Sequence, residues 1–318
     1  MLQNKNNKLI CLDTKYSTTR CVTSDMNKLD VLLDKNDRSI TEGGLRTNSY
    51  YKASLPDKPL ITVVTIVYNG VEYIEDTIIS VLSQSYDNLE YIIIDGGSLD
   101  GTIDVIKKYE NAIDYWISEK DRGIYDAMNK GASLSSGKWL NFMNAGDRFY
   151  SEFVVEKIKE HFYDTKVIFG RAKIIDAENK VWDYPDKRIS HSNILEWLET
   201  KYPNHQSMFF PKCYYKKNEY DLNYPISADS HYKNASINEL GYVFYDDYIS
   251  KFYTGGVSSK PNIKGIAAIC HERFARKDFK YRYLDYLLCL IKGIVKVSLY
   301  KIFGEKSMSV INKMRNNF

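Results

Sequence analysis

An α/β fold with a mostly parallel sheet flanked by helices is predicted for this chain, on three observations. Leu60 to Tyr68, LITVVTIVY, and Leu89 to Ile94, LEYIII, are short β-branched apolar runs of the kind that form strands buried on both faces. Segments of helical spacing separate these runs from one another and from a third and a fourth. Each run then exits into a carboxylate or a glycine, the residue types that collect at the carboxyl edge of such a sheet, where ligands bind.

The elements follow in order. After the first strand, Val71, Ile74, Ile78 and Leu82 recur at helical spacing, with Glu72, Glu75 and Asp76 at the end where the helix dipole favours acid. Thr102 to Tyr109 reads as a second helix, Ile113 to Ile117 as a short strand, Gly123 to Ser133 as a helix and Lys138 to Met143 as another strand. Strands alternating with helices at this spacing are βαβ units. Beyond Ser151 the pattern loosens. Phe153 to Phe162 reads as helix, Val167 to Ile175 as strand and turn, and Asn193 to Leu198 as a short helix. Residues 1–58 are polar, and Pro56 and Pro59 suggest a boundary. The expected division is 1–58 as an N-terminal extension, 59–161 as the α/β region, 162–260 as an irregular region and 261–318 as a basic helical region.

Composition narrows the function. The net charge is +3, from 44 basic and 41 acidic residues, which argues against nucleic acid as the partner. Cys11, Cys21, Cys213, Cys270 and Cys289 are scattered and form no CxxC pair, so neither a zinc site nor a disulfide framework is expected, and a reducing compartment fits best. The first twenty residues lack the apolar core of a signal peptide, and no apolar stretch is long enough to span a bilayer.

The strand exits carry the chemistry. Asp95 follows YIII and precedes Gly96-Gly97-Ser98, where glycines let a ligand approach the backbone. Asp121 follows the third strand in SEKDRG, and Asp147 ends the run NAGD after KWLNFM. Ser98 or Asp100 suits the cap of the next helix. In the segment Asp121 to Lys130, Ile124, Ala127, Met128 and Gly131 suit the sheet-facing side. Arg122 and Lys130 then suit phosphate, and Asp121 and Asp126 suit sugar hydroxyls, while a solvated helix face is the plainer reading for Arg122, Asp126 and Lys130.

The runs PLITVVTIVYNG, YIIIDGGSLDGT, SEKDRGIYDAMNKG and LNFMNAGD, with HQSMFF and ISADSHY after them, resemble the family 2 glycosyltransferases of GT-A fold. Bacterial members that build surface polysaccharides are the nearest in kind. The resemblance covers about Pro59 to Ser258. It implies transfer, with inversion, from a nucleoside-diphosphate sugar to a hydroxyl of a glycan or lipid-linked glycan. It places Thr65, Tyr68 and Asp95 against the nucleoside. It puts Asn144 to Asp147 at the acidic motif that holds a divalent cation, Mg²⁺ or Mn²⁺, although only Asp147 is acidic here. Asp229 matches the catalytic base, and His205 lies in the acceptor-side loop. From local sequence alone, Asp229 reads as a helix cap, and it is the resemblance that makes it the base.

Near the end, Leu284, Leu287, Leu288, Ile291, Ile294, Val295 and Ile302 form an apolar stripe beside Lys292 and Lys296. Such a helix suits either the surface of an anionic membrane or packing within the protein. The expected location is the cytoplasm, at the inner face of the membrane if the stripe meets lipid. Two other classes compete. A nucleotidyltransferase would carry a basic glycine-rich loop where this chain has YNGVEYIED, and a non-catalytic carbohydrate-binding relative would lack transfer altogether.

Overall fold

The computed structural model describes residues 9–10, 20–21, 40–163, 165–254 and scattered helical positions between 287 and 302. Two compact units divide the chain. One comprises Met1–Tyr220 and Ser230–Tyr253, the other Asp221–Asp229 and Thr254–Phe318.

A two-stranded ribbon pairs β1 (Leu9–Ile10) with β2 (Arg20–Cys21). The main sheet begins with β3 (Thr41–Gly43) and continues with β4 (Ile61–Val67). Helix α1 (Ile74–Leu82), β5 (Leu89–Asp95), α2 (Thr102–Lys108), β6 (Tyr115–Ser118), α3 (Ile124–Leu134) and β7 (Trp139–Phe142) complete the βαβ succession. Next come β8 (Arg148–Phe149), α4 (Val154–Ile158), β9 (Val167–Ile175), β10 (Val181–Tyr184), α5 (Ile194–Thr200), β11 (Met208–Pro211), α6 (Lys212–Tyr215), α7 (Ala228–Leu240) and β12 (Tyr242–Tyr253). The strand order is β3-β6-β5-β4-β7-β11-β9-β12-β8, with β10 paired to β9. Strands β6, β5, β4 and β7 are mutually parallel. Antiparallel pairing brings in β3, β11, β10 and β8, while β9 and β12 run parallel to each other.

Every residue of β4 and β5 is buried, which explains their continuous apolar text. Ile61, Val63, Tyr91 and Ile93 share a core with Ile74, Ile78, Val81 and Ile106 of α1 and α2. The opposite face receives α3. A Cβ on Gly131 would lie 2.4 Å from Val64 Cγ1, so glycine is what lets α3 approach the sheet this closely. The α3 residues that bury themselves are Tyr125, Ala127, Met128, Gly131 and Ala132, whereas Ile124 is exposed, one position away from the expected stripe.

Among the described residues ahead of Pro59, Thr41–Gly43 joins the main sheet. Strand β3 pairs with β6, Arg46 reaches the buried Glu90, and Lys52 reaches the buried Asp114 at 2.9 Å. Two cations in a polar stretch look like solvent-exposed residues in sequence, and here each neutralises a carboxylate on β5 or before β6.

Candidate active site

The carboxyl ends of β4, β5, β6 and β7 converge on one edge, and side-chain hydrogen bonds stitch their loops together. Asn69 N–H donates to Ser98 Oγ at 2.7 Å, and Leu99 N–H donates back to Asn69 Oδ1 at 3.0 Å. Gly70 N–H donates to Thr102 Oγ1 at 2.9 Å, and Val71 N–H to Asp100 Oδ2 at 3.1 Å. The polar residues of SLDGT thus satisfy backbone donors of the loop between β4 and α1. Asp100 also accepts from Thr102 N–H at 3.0 Å, while the N-cap position of α2 itself is Gly101, with no side-chain cap. These bonds hold its carboxyl below the usual range, although the little burial it has works the other way.

Asp95 anchors this lattice from beneath. It is fully buried and accepts from Gly97 N–H at 3.0 Å, Ser98 N–H at 2.8 Å, Ser98 Oγ at 2.5 Å and Ser118 Oγ at 2.6 Å. Both oxygens accept from the Gly96–Ser98 turn or from Ser118, and so hold that turn in shape. Thr65 is engaged internally as well. It is fully buried, and its hydroxyl is shared between Tyr91 Oη at 3.0 Å and the Met143 carbonyl at 2.8 Å. Tyr68, by contrast, is 64% exposed at the exit of β4.

Gly96 brings Tyr68 and Asp121 together. A Cβ there would stand 3.2 Å from Asp121 Oδ2 and 3.4 Å from the Tyr68 ring. Asp121 Oδ1 accepts from Lys130 Nζ at 2.7 Å, and Lys130 also pairs with Glu119 at 2.5 Å. Burial leaves the Asp121 carboxyl above the usual range despite Lys130. Burial opposes the Lys130 ammonium, but its bonds to Asp121 and Glu119 leave it raised overall. Arg122 pairs with Asp126 across one helical turn at 2.6 Å, with the guanidinium largely exposed at the rim. The hydrogen bond from Arg122 holds the Asp126 carboxyl below its usual range.

On the other side of β4, NAGD forms a tight turn. Asp147 N–H donates to the Asn144 carbonyl at 3.0 Å, and Gly146 adopts φ +98°. Thr77 of α1 pins it, accepting from Gly146 N–H at 3.0 Å and donating to the Asp147 carbonyl at 2.8 Å. The Asp147 carboxyl is buried. Tyr253 N–H donates to its Oδ1 at 3.1 Å, and the Gln206 side chain also hydrogen-bonds to it. Burial nonetheless pushes it up to about 8. Asn144 Oδ1 is buried without a hydrogen-bond partner. A buried carboxyl that resists ionisation and an orphaned amide oxygen on the same turn form a donor set that a hard divalent cation would satisfy. Among the described residues no cluster of three His, Cys, Asp or Glu offers an all-protein cage. Any cation here would therefore also draw oxygens from its ligand.

His205 is held among aromatic side chains. It is buried, stacks on Phe142 at 5.3 Å and shares a hydrogen bond with Tyr220 Oη at 2.8 Å, so it packs the core. Its neighbour Gln206 reaches Asp147 instead. Asp229 lies in the first turn of α7 and belongs to the second unit. Thr77 and Tyr253 went unnoticed in the sequence, while Ser118 and Gln206 stand inside the runs SEKDRG and HQSMFF without having been given a role. Thr77 left a trace there as a polar residue inside the apolar stripe of α1.

A mixed sheet with a parallel centre, this loop lattice on one side of β4 and a buried acidic turn on the other defines an enzyme of GT-A architecture. The profile of glycosyl transferase family 2 matches residues 62–230, and the chain belongs to that family; it is a glycosyltransferase. It is similar to an uncharacterized glycosyltransferase of Mycobacterium tuberculosis, 31% identical over 182 residues, 55% of this chain and 67% of that one. An uncharacterized glycosyltransferase of Haemophilus influenzae is 26% identical over 275 residues, 80% of this chain and 84% of the other. A putative teichuronic acid biosynthesis glycosyltransferase of Bacillus subtilis is 37% identical over 106 residues, 32% of this chain and 42% of its own length. The fold is shared with a mannosyltransferase of Pyrobaculum calidifontis solved with GDP-mannose and Mn²⁺. The TM-score there is 0.50 at 15% identity, covering 82% of this chain and 80% of that one.

Proposed function

We propose that the enzyme moves a sugar, with inversion, from a nucleoside-diphosphate sugar to a hydroxyl of a glycan or lipid-linked glycan in bacterial surface-polysaccharide synthesis. The observation that carries this reading is the NAGD turn, which places a buried carboxyl and a partnerless amide oxygen beside the switch in strand order at β4. The Bacillus relative, with teichuronic acid biosynthesis in its name, supports the polysaccharide setting.

Asp147 and Asn144 would hold a divalent cation, which supplies charge neutralisation for a leaving diphosphate. The chain's own groups do the rest. Tyr68 offers an exposed ring to a nucleobase at the exit of β4. Asp95 keeps the Gly96–Ser98 turn in shape, and Asp121, held by Lys130, faces the opening over Gly96. The exposed guanidinium of Arg122 suits phosphate at the rim. Asp229 accepts the proton of the attacking hydroxyl, since a sugar hydroxyl is a weak nucleophile without a base. One displacement with one base inverts the anomeric centre.

Among the described residues no helix is long and apolar enough to cross a membrane. In the C-terminal stripe, Leu287, Ile291, Ile294, Val295 and Ile302 are each about half exposed or more, while Leu284, Leu288 and Lys296 lie outside the described residues. That exposure favours an anionic membrane surface as the stripe's partner, and with it a place at the inner face of the membrane.

The deciding experiment is a thermal-unfolding screen of UDP-, GDP- and dTDP-sugars with and without Mn²⁺. The donor is expected to raise the midpoint, and more so with metal. No shift with any of them would refute the donor reading.

A further inference from the structure

Strand register lines up an unusual row of charges on the sheet next to Asp147. Lys251 of β12 stands opposite Lys173 of β9 on one side and Arg148 of β8 on the other. Asp183 of β10 continues the row beyond Lys173. Paired positions share a face, and like charges set directly opposite one another destabilise a sheet. Two of the three cations are compensated. Lys173 pairs with Asp183 at 2.6 Å, and Arg148 with Asp76 at 2.5 Å. Lys251, in the middle, makes no ion pair among the described residues, so the row carries one uncompensated positive charge.

An aromatic ring faces that charge, and others face its two neighbours. Lys251 Nζ lies 5.4 Å from the centre of the Tyr150 ring, which stacks on Tyr248 at 4.7 Å. Lys173 Nζ lies 4.5 Å from the Tyr248 ring, and the Arg148 guanidinium 5.2 Å from that of Tyr253. Lys251, Arg148 and Tyr150 line an open cavity of about 270 Å³ between β8, β12 and α1, which Asp76 and Glu152 also line. The row adjoins the NAGD turn, because Arg148 follows Asp147 in the chain and Tyr253 N–H donates to Asp147 Oδ1.

We propose that this row is an acceptor subsite for an acidic glycan. Lys251 binds the carboxylate of a uronate residue, and the apolar surfaces of Tyr150, Tyr248 and Tyr253 lie beside the C–H faces of the sugars. Three features select this ligand. A lone cation between two others is relieved by an anion. Sugar rings match a tyrosine-lined surface. A single negative charge also suits a cavity that already holds Asp76 and Glu152 better than a dianionic phosphate would. The acceptor role rests on the glycosyltransferase reading, whereas glycan binding by the row stands by itself.

The test is isothermal titration of the full chain with tetragalacturonate and with its methyl ester, which has the same sugars but no charge. Tetragalacturonate is expected to bind at least about tenfold more tightly than the ester, and less so as salt is added. Lys251→Gln should weaken tetragalacturonate binding about tenfold, the scale of one charge-assisted hydrogen bond, and leave the ester unchanged. Lys251→Arg should retain the binding. Because Lys251→Gln removes a like-charge contact, its thermal midpoint should equal or exceed that of the parent. Equal affinity for the two chains, no binding of tetragalacturonate, unaltered binding by Lys251→Gln, or a lowered midpoint of that variant would each overturn the proposal. Protection by sugar nucleotides, measured separately, reports on the transferase reading, so a failure of either is recognisable.

Discussion

Replacement of Asp95 separates a positioning role from a contact role. In Asp95→Ala, Gly97 N–H, Ser98 N–H and the Ser98 and Ser118 hydroxyls lose their common acceptor. Ser118 is buried and stays unsatisfied, whereas Gly97 and Ser98 are half-buried and recover part of the loss from water. Charge-assisted bonds of this kind contribute ~1.5–3 kcal/mol each and are not additive, so a net cost of about 2–4 kcal/mol to the ordered loop follows. Asp95→Asn keeps one acceptor oxygen for the two backbone donors. Its amide group then faces Ser98 Oγ, which already accepts from Asn69 N–H, so a smaller cost of about 1 kcal/mol is expected. Since the ordered loop forms the nucleotide edge, affinity for the free nucleoside diphosphate should fall roughly thirtyfold or more in Asp95→Ala and about fivefold in Asp95→Asn. Ser98→Ala should fall between them, because the Ser98 hydroxyl relays Asp95 to the β4–α1 loop. Calorimetric titration of UDP and GDP against the three variants, with urea unfolding to confirm the fold, provides the measurement. Nucleotide affinity within twofold of the parent in Asp95→Ala would refute the reasoning.

Four further outcomes are expected. Asp147→Asn should lower turnover by orders of magnitude and abolish the extra stabilisation that Mn²⁺ gives in the presence of donor; full activity in excess chelator would refute the cation's role. Asp229→Asn should stop transfer while donor affinity stays nearly intact, because the amide keeps the shape but cannot accept a proton; near-normal turnover with a confirmed acceptor would make Asp229 a helix cap. Gly131→Ala should destabilise the fold by about 1–3 kcal/mol in urea unfolding, because the overlap with Val64 outweighs alanine's helix advantage of ~1 kcal/mol; a gain in stability would contradict the packing. A chain truncated before Tyr281 should stay folded and lose affinity for anionic vesicles, and equal vesicle binding by both forms would assign the stripe to packing.

Local pattern located the nucleotide half almost element by element. Strands β4, β5 and β7, and helices α2 and α3, lie within a residue or two of their expected bounds, and α1 begins three residues later than its apolar spacing, because a strand buried on both faces and a helix buried on one leave short-range periods in the text. The carboxylates at the strand exits were equally legible as positions. Strand β12, twelve residues with tyrosine and aspartate at half-buried positions, carries no such period, and its partners β8 and β9 lie far away in the chain. Only the tertiary structure could reveal it.

The same division applies to the site. The sequence by itself determined which residue types stand at the sheet's edge and, through four ordered motifs, the family. The tertiary structure decided what each does, because a side chain's role depends on which donors surround it. Asp95 meets two backbone N–H groups and two hydroxyls, and is turned inward. Thr65 and His205 meet core partners and are withdrawn from the surface. Lys251 meets two other cations across the sheet, a neighbourhood set by strand register between segments far apart in the chain, which no local window of sequence contains.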